Sequence, residues 1–528
     1  MNAIIMAAGM SSRFAPLSYE KPKGLLKVKG EILIERQIRQ LQEAGITDIT
    51  LVVGYMKEMF FYLEDMFGVK IAINEDYFKY NNTSTLIRVL DRLDETFICS
   101  SDNYFTENVF LEKPECGYYA AVYADGPTDE YCLTTDENDY ITGVTIGGHD
   151  AWFMSGHVYF DHDFSANFRE LLKAEYEQGD TKQHLWEDFY MKHLDVLRLK
   201  IRRYEANVVQ EFDSLDELRE FDHHYISNTN SRILQNICKI LGCEEQDISD
   251  IKAIKQGLTN TSFYFTAANN KIGGEKFVYR HPGVGTSDYI NRESETFSMS
   301  VAKRLGLDDT FIYMDKDEGW KLSRYVENAR TLDYHNEQEV DTALQMMRTL
   351  HQENIKSQFR FGTWERSLEF VEKIRHKGRA DFADFQNLLS MMEALYKLTK
   401  SDGVDERLCH CDCYDPNFLI GEDGKMYLID WEYSGNDDPA TDLGTFICCS
   451  DYTEEEAQQV IRKYIGHEPT GTELRHYYAY VALAAYYWYV WAIYQTSVGN
   501  NVGEYLYLWY KMAKNYCKKA MPMYLVAD

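Results

Sequence analysis

Positive charge is what this chain has least of: 55 Lys and Arg stand against 85 Asp and Glu in 528 residues, a formal net charge of −30. A nucleic-acid surface needs clustered cations to neutralise phosphates, so that class of partner is excluded, whereas single nucleotides can still bind at local cationic sites. The first residues, MNAIIMAAG, lack the basic n-region of a secretory signal and run straight into a strand-like segment, which reads as a cytoplasmic protein. No Pro- or Gly-rich stretch interrupts the chain as a linker, so packed rather than tethered domains are expected, with a boundary near residue 226. The uncharged run from Tyr477 to Tyr494 falls short of the roughly 20 residues a spanning helix needs and is Tyr-rich; a buried helix and no membrane insertion follow. The eleven cysteines lack C-x₂-C spacing. Cys409, Cys411 and Cys413 alternate, so on a strand they face opposite ways and make a poor zinc site. Cys99, Cys132 and Cys238 sit in apolar surroundings typical of free thiols in a reducing compartment.

Enough is present to fold. Hydrophobic residues make up 45% of the chain, and the length implies two domains or more. Strand Asn2–Ala8, a helix from Glu31 to Ala44, strand Ile49–Val53, a helix from Glu58 to Phe67, strand Lys70–Ile73, a helix from Ser84 to Leu93 and strand Thr96–Ser100 alternate, which predicts a parallel sheet covered by helices. Such sheets bind ligands beyond the carboxyl ends of their strands, where Gly9, Gly54 and Asp102 fall. In the loop Ala7-Ala8-Gly9-Met10-Ser11-Ser12-Arg13, small residues let backbone amides approach phosphates, with Arg13 and Lys23 as cations. Asn81 and Asn82 offer amides suited to a pyrimidine edge or a phosphate.

From Ile251 the pattern changes to short strands, and later to helices and the segment Leu408–Glu432. There the apolar runs Phe418–Ile420 and Met426–Ile429 flank Gly421-Glu-Asp-Gly424, a hairpin signal. The hairpin brings Asp430 beside Asn417, with Asp412 near both. An Asn and an Asp at one strand mouth suit Mg²⁺ with its hard oxygen ligands, leaving Asp412 free to accept a hydroxyl proton.

His410-x-Asp412-x-x-x-x-Asn417 followed by Ile429-Asp430-Trp431-Glu432 resembles the catalytic segment of choline/ethanolamine kinases and aminoglycoside phosphotransferases, relatives of protein kinases. The resemblance covers about residues 235 to 520. It implies Asp412 as catalytic base, Asn417 and Asp430 as metal ligands, and a loop with Gly257 and Asn260 over the ATP phosphates. Arg280 with Glu293 matches the cation–acid pair that orients those phosphates, Glu295 being the rival acid. Asp442 would brace the catalytic loop, and Trp488-x-x-Trp491, with Glu432 and Tyr433 opposite, would line the choline pocket.

AAGxxSRF…PL…KPKxLLxVxGxxLIERQI, then VVGYxKE and SSDN, resembles the nucleotidyltransferase family, the lic-type phosphocholine cytidylyltransferases above all, over residues 1 to 225. This implies nucleotide contacts from Ala7, Ala8, Gly9, Arg13, Lys23, Gly54 and Asn82, and Asp102 on Mg²⁺. Glu187 or Asp188 is the candidate second metal carboxylate, with Asp213 in reserve. Trp152 and Trp186 offer faces for a trimethylammonium group. Met10-Ser11-Ser12 departs from the family's glycine-richer loop.

The expected fold is therefore α/β: an N-terminal Rossmann-like nucleotidyltransferase domain (1–225) with a mixed, mainly parallel sheet, and a C-terminal bilobal protein-kinase-like domain (226–528). The expected function is bifunctional, with Mg²⁺ at both sites: choline is phosphorylated by ATP, and phosphocholine is then joined to CMP from CTP. Alternatives are the same folds acting on ethanolamine or an aminoalkyl phosphonate, or a nucleotide-binding protein with one inactive site. Oligomeric state, including a homo-oligomer, is left open.

Overall fold

The protein is described by a computed structural model over residues 1–254, 260–283, 290–380, 383–498 and 502–525. The chain divides into two compact units, Met1–Ala253 with Phe265–Glu275, and Ile254–Tyr264 with Lys276–Asp528.

The first unit is built on strands β1 (Asn2–Ala7), β2 (Ile49–Val53), β3 (Lys70–Ile73), β4 (Thr96–Ser100), β5 (Tyr118–Thr135), β6 (Ile141–Phe160) and β7 (Lys200–Tyr204). They form one seven-stranded sheet in the order β7-β5-β6-β4-β1-β2-β3. Pairing is parallel along β4-β1-β2-β3 and antiparallel where β6 meets β4 and β5, a mixed sheet. Its central strands are apolar on both faces because both are covered. Ile5, Leu51 and Phe97 point to one core layer, and Ile4, Val52 and Ile98 to the other. Helix α1 (Leu33–Glu43) lays Ile34, Ile38 and Leu41 into the first layer at helical spacing, and the chain then turns at Gly45 with φ +82°. The helix expected from Ser84 to Leu93 is instead a short helix, Thr83–Ile87, and a 3₁₀ turn, Leu90–Arg92. Four β-branched residues, Thr83, Thr85, Ile87 and Val89, crowd this stretch and disfavour a continuous helix.

Register positions the site. Ala7 pairs with Val53 and Met6 with Ser100, so β1, β2 and β4 end level and their following loops share one crevice. Close packing there requires Gly54: a Cβ would lie 2.8 Å from the Ala8 carbonyl oxygen.

Beneath this crevice His157 is buried among Phe97, Phe105, Phe110 and Tyr118, whose hydroxyl meets Nε2 at 2.8 Å. Burial pushes its pKa down to about 3. The unfolded chain therefore binds a proton below about pH 6.5 that the folded one refuses, so His157 costs no stability above that value and destabilises progressively on acidification. The unfolding free energy of this unit should fall by about 2 kcal/mol from this residue alone between neutrality and pH 5. His157→Phe should flatten that part of the profile in denaturant melts; an unchanged slope would refute it.

Strands β8 (Ile248–Ile254), β9 (Thr261–Ala267), β10 (Lys276–His281), β11 (Phe311–Met314) and β12 (Lys321–Arg324) form a five-stranded sheet ordered β8-β9-β10-β12-β11, of which Ile254–Tyr264 and the strands from Lys276 onward are counted in the second unit. Helix α2 (Arg292–Leu305) follows β10, capped by Asn291. The rest is mainly helical: α3 (Glu337–Gln352), α4 (Ala440–Cys449), α5 (Gly471–Ser497) and α6 (Tyr505–Leu525). Short strands β13 (Arg407–Cys409), β14 (Phe418–Ile420) and β15 (Met426–Leu428) carry the polar turns between them. Helix α5 contains the uncharged Tyr-rich run and is buried over Tyr478–Ala492, as an all-round apolar helix must be in water. Among the described residues no helix is long and apolar enough to cross a membrane.

Candidate active sites

In the first unit the crevice gathers five charged groups. Lys23 Nζ lies 2.8 Å from Asp102 Oδ2 and is 6% exposed, whereas Arg13 Nη1, 2.7 Å from Asp213 Oδ2, is on the surface. Burial works against the Lys23 charge, but Asp102, Glu211 and Asp213 outweigh it and hold the ammonium above the ordinary lysine pKa. For Asp102, burial raises and Lys23 lowers, and Lys23 wins. Glu211, on the accessible lip and bonded by Asn103 Nδ2 at 3.4 Å, is raised by the crowding protein and then by Asp102. Carboxylates and cations alternating at the mouth of a parallel sheet can hold a metal–triphosphate: oxygen donors for Mg²⁺, cations for phosphate oxygens.

Glu187 and Asp188 have hydrogen-bond partners of their own, and Glu187 and Glu211 both act on the Tyr119 hydroxyl. Glu187 Oε2 accepts from Asn82 Nδ2 at 3.2 Å and Oε1 from the Tyr119 hydroxyl at 3.2 Å, while Asp188 accepts from the Tyr131 hydroxyl at 3.2 Å and caps its own helix at Leu185 N. Burial lifts Glu187 to about 7. Asp213, the acid held in reserve, bears on Lys23 together with Asp102 and Glu211. Asn82 accepts from Trp186 N at 2.6 Å through its carbonyl and donates to Glu187 through its amide, so it fixes that segment. Trp186 is core: it is 1% exposed, stacked on Tyr119 at 5.6 Å and edged by Phe160 and Phe168. Trp152 is half-buried against Tyr123 and the Arg203 guanidinium, a cation already on its ring. Glu211 went unread in the sequence, although Glu211-Phe-Asp213 after a strand places two acids on one side.

In the second unit, β14 and β15 pair Phe418 with Leu428, and Ile429 N bonds Asn417 O at 2.9 Å, which sets Asp430 beside Asn417. Asn417 Nδ2 donates to Asp412 Oδ2 at 2.9 Å, leaving its carbonyl oxygen as the atom that can ligate a cation. Asp430 has φ +63° and receives Arg280 Nη1 at 2.9 Å. Burial first, then Asp430, raise Asp412 well above the carboxylate range, whereas Lys321 and Arg280 outweigh burial at Asp430 and lower it. His410 braces this turn: Nε2 donates to Ile429 O at 2.9 Å, and Nδ1 accepts from Asp412 N at 3.2 Å. Asp442, fully buried, accepts from the amides of His410 at 2.9 Å and Cys411 at 2.6 Å and from His351 Nε2 at 2.8 Å. Cys409 lies near His351 and Asp442, with ligand atoms within 4.8 Å. That trio is already satisfied by its own hydrogen bonds, and burial keeps the thiol protonated.

The acid paired with Arg280 is Glu295, not Glu293: Nη2 to Oε1 is 2.5 Å, and Glu295 is 0% exposed while Glu293 faces solvent. Two residues along a helix rotate a side chain by about 200°, so only one of the pair can face the strand. Lys321, cross-strand from Arg280, adds a cation 3.8 Å from Glu295 and 4.0 Å from Asp430; only the sheet register reveals it. Asn260 Nδ2 bonds Glu432 at 3.0 Å, and Gly257 lies outside the described residues. Glu295→Ala should lower phosphoryl transfer about 10²-fold or more, and Glu293→Ala less than about threefold. Equal effects in steady-state kinetics would overturn the pairing.

Glu432 and Tyr433 line a cavity of about 210 Å³. The Tyr433 ring meets Trp488 edge-on at 5.5 Å, Trp488 meets Trp491 at 5.6 Å, and Trp509 of α6 completes the cluster at 5.8 and 6.4 Å from them. Trp509 was missed in the sequence; Tyr505 stacked on it at i, i+4 is the signal that was there.

Two clusters of cations and carboxylates, one at the strand ends of a mixed α/β sheet and one on a hairpin, have the make-up that nucleotidyl and phosphoryl transfer need. Residues 3–114 match the MobA-like NTP transferase domain, and residues 251–482 match choline/ethanolamine kinase. The chain is 35% identical over 229 residues to a 2-aminoethylphosphonate cytidylyltransferase of Lancefieldella rimae, covering 43% of this chain and 93% of that one. It is 30% identical over 222 residues to a choline-phosphate cytidylyltransferase of Streptococcus pneumoniae, covering 42% and 97%. The solved choline kinase LicA of Streptococcus pneumoniae is similar at 25% identity and TM-score 0.47, covering 54% of this chain and 98% of that one. The chain belongs to both families, as a fusion of a cytidylyltransferase-type nucleotidyltransferase with a choline/ethanolamine kinase, and is an enzyme of both types.

Proposed function

We propose that residues 226–528 move the γ-phosphoryl of ATP onto the hydroxyl of choline, and that residues 1–225 then join the phosphocholine to CMP from CTP, releasing pyrophosphate and CDP-choline. The observation that carries the choline reading is the cluster of Tyr433, Trp488, Trp491 and Trp509 beside the buried acid Glu432. A quaternary ammonium has no hydrogen to donate and is held best by aromatic faces. Asp412, oriented by Asn417, takes the hydroxyl proton, while Arg280 and Lys321 face the ATP phosphates. In the first domain Lys23 and Arg13 neutralise the triphosphate, with Gly9, Ala7 and Ala8 offering backbone approach. Mg²⁺ would be held by Asn417 and Asp430 in the second domain and by Asp102 with Asp213 in the first, where it neutralises charge on the phosphates and the leaving group. Eleven free cysteines and nucleotide co-substrates suit the cytoplasm.

A second reading keeps both chemistries and changes the small molecule to ethanolamine or an aminoalkyl phosphonate; the 35% identical relative that bears the name of a phosphonate enzyme favours it. Phosphorus NMR with the full chain, ATP, CTP and choline, ethanolamine or 2-aminoethylphosphonate separates the two. CDP-choline as the main product is expected, and cytidylylation of the phosphonate in its place would sink the choline assignment. Trp488→Leu or Trp491→Leu should raise KM for choline about 30-fold, the equivalent of about 2 kcal/mol of cation–π attraction, and change KM for ethanolamine little. Equal losses for both amines would count against an ammonium box.

A further inference from the structure

A second cavity in the second unit belongs to neither centre. It holds about 400 Å³ and opens between α3, the turn after residue 402, the start of α4 and the N-terminal end of α5. Its carboxylates are all engaged. Asp402 takes Arg475 and His476 at 2.9 Å each, Asp438 takes His476 at 3.0 Å, and Glu473 caps α5 through Thr470 N at 2.9 Å.

Its arginines are held by neutral oxygens instead. Arg348 reaches only the Lys463 carbonyl at 2.6 Å and Gln345 Oε1 at 2.7 Å. Arg407 reaches only backbone oxygens, those of His351 at 3.2 Å and Asp405 at 3.4 Å. Among the described residues neither has a carboxylate partner, in a chain that carries 85 of them. The third source of positive potential is the 27-residue helix α5, whose first residues, Thr472 and Glu473, line the same space. Tyr464, Tyr477 and Val404 give one wall an apolar face.

The cavity is also wired to the catalytic segment. Its His351 bonds Tyr464 at 2.6 Å through Nδ1 and Asp442 at 2.8 Å through Nε2, and Asp442 holds the amides two residues and one residue before Asp412.

We propose that this cavity is a binding site for a small phosphate-bearing anion, clamped by Arg348 and Arg407 at the head of α5, with its organic part against Tyr464 and Tyr477. Guanidinium forks match phosphate oxygens, and the volume suits a small ligand.

The test is calorimetric titration of inorganic phosphate, and separately of glycerol phosphate, into the full chain at constant ionic strength. One binding event should weaken at least about tenfold in Arg348→Gln/Arg407→Gln, since each charge-assisted bond is a large fraction of such an affinity, and should persist in Lys23→Met. Glycerol phosphate binding tighter than phosphate would assign the ligand as an ester; equal affinities would assign the free anion. Val404→Trp, at the exposed rim, should remove the same event and covers the case in which the double variant misfolds. Phosphate and ester heats unchanged in the folded double variant, or unchanged in Val404→Trp, would overturn the proposal.

Discussion

Replacing Asp412 by alanine should abolish phosphoryl transfer, lowering it by about 10³-fold or more, while cytidylyl transfer to supplied phosphocholine keeps its parental rate. The carboxylate is buried, and its Oδ2 is held by Asn417 at 2.9 Å. Its backbone is fixed from the other side by His410, which Ile429 and Asp442 orient in turn. Its charge adds to burial in disfavouring the phenolate of Tyr487, the residue before Trp488 on α5. Asp412→Asn keeps the volume and removes only the capacity to take a proton, so it should be nearly as inactive as alanine. A phosphorus NMR time course reads both steps in one tube. Kinase turnover surviving in either variant would place the base elsewhere, and loss of both activities together would mean the substitution damages more than the second site.

The second large effect is expected at Lys23. Lys23→Met should lower cytidylyl transfer about 10²- to 10³-fold and leave choline phosphorylation unchanged. Lys23 is the buried cation of its crevice, and Asp102, Glu211 and Asp213 all act on it. Without it these carboxylates repel one another, and the triphosphate meets negative charge where it needs positive. Arg13→Gln should cost only about tenfold, because its side chain is 75% exposed and water screens it. A Lys23→Met enzyme within threefold of the parent would show that the triphosphate is neutralised by other groups.

Several features were open to reading from the chain alone. The β-α alternation of the first hundred residues, the hairpin around Gly421–Gly424 and the Asp412, Asn417 and Asp430 set are local patterns, where a few neighbouring residues decide the conformation. Helix termini and phases were harder. Glu293 and Glu295 are both acids on one helix beside one arginine, and nothing local says which faces the strand; the packing of α2 against β10 does.

What the sequence determined by itself was therefore the class of chemistry and the order of the two domains, because short motifs hold catalytic groups at spacings set by turns and strands. The tertiary structure decided which distant residues meet. It joined Asp213 to Arg13 across 200 positions of chain and put Glu187 with Tyr119 and Asn82. It paired Lys321 with Arg280 across the sheet, brought Trp509 to Trp488 and, among the described residues, set Arg348 and Arg407 at one cavity with backbone and amide oxygens as partners in place of carboxylates. Those meetings depend on strand register and helix packing, which the sum of many weak burial contacts selects and no single segment encodes.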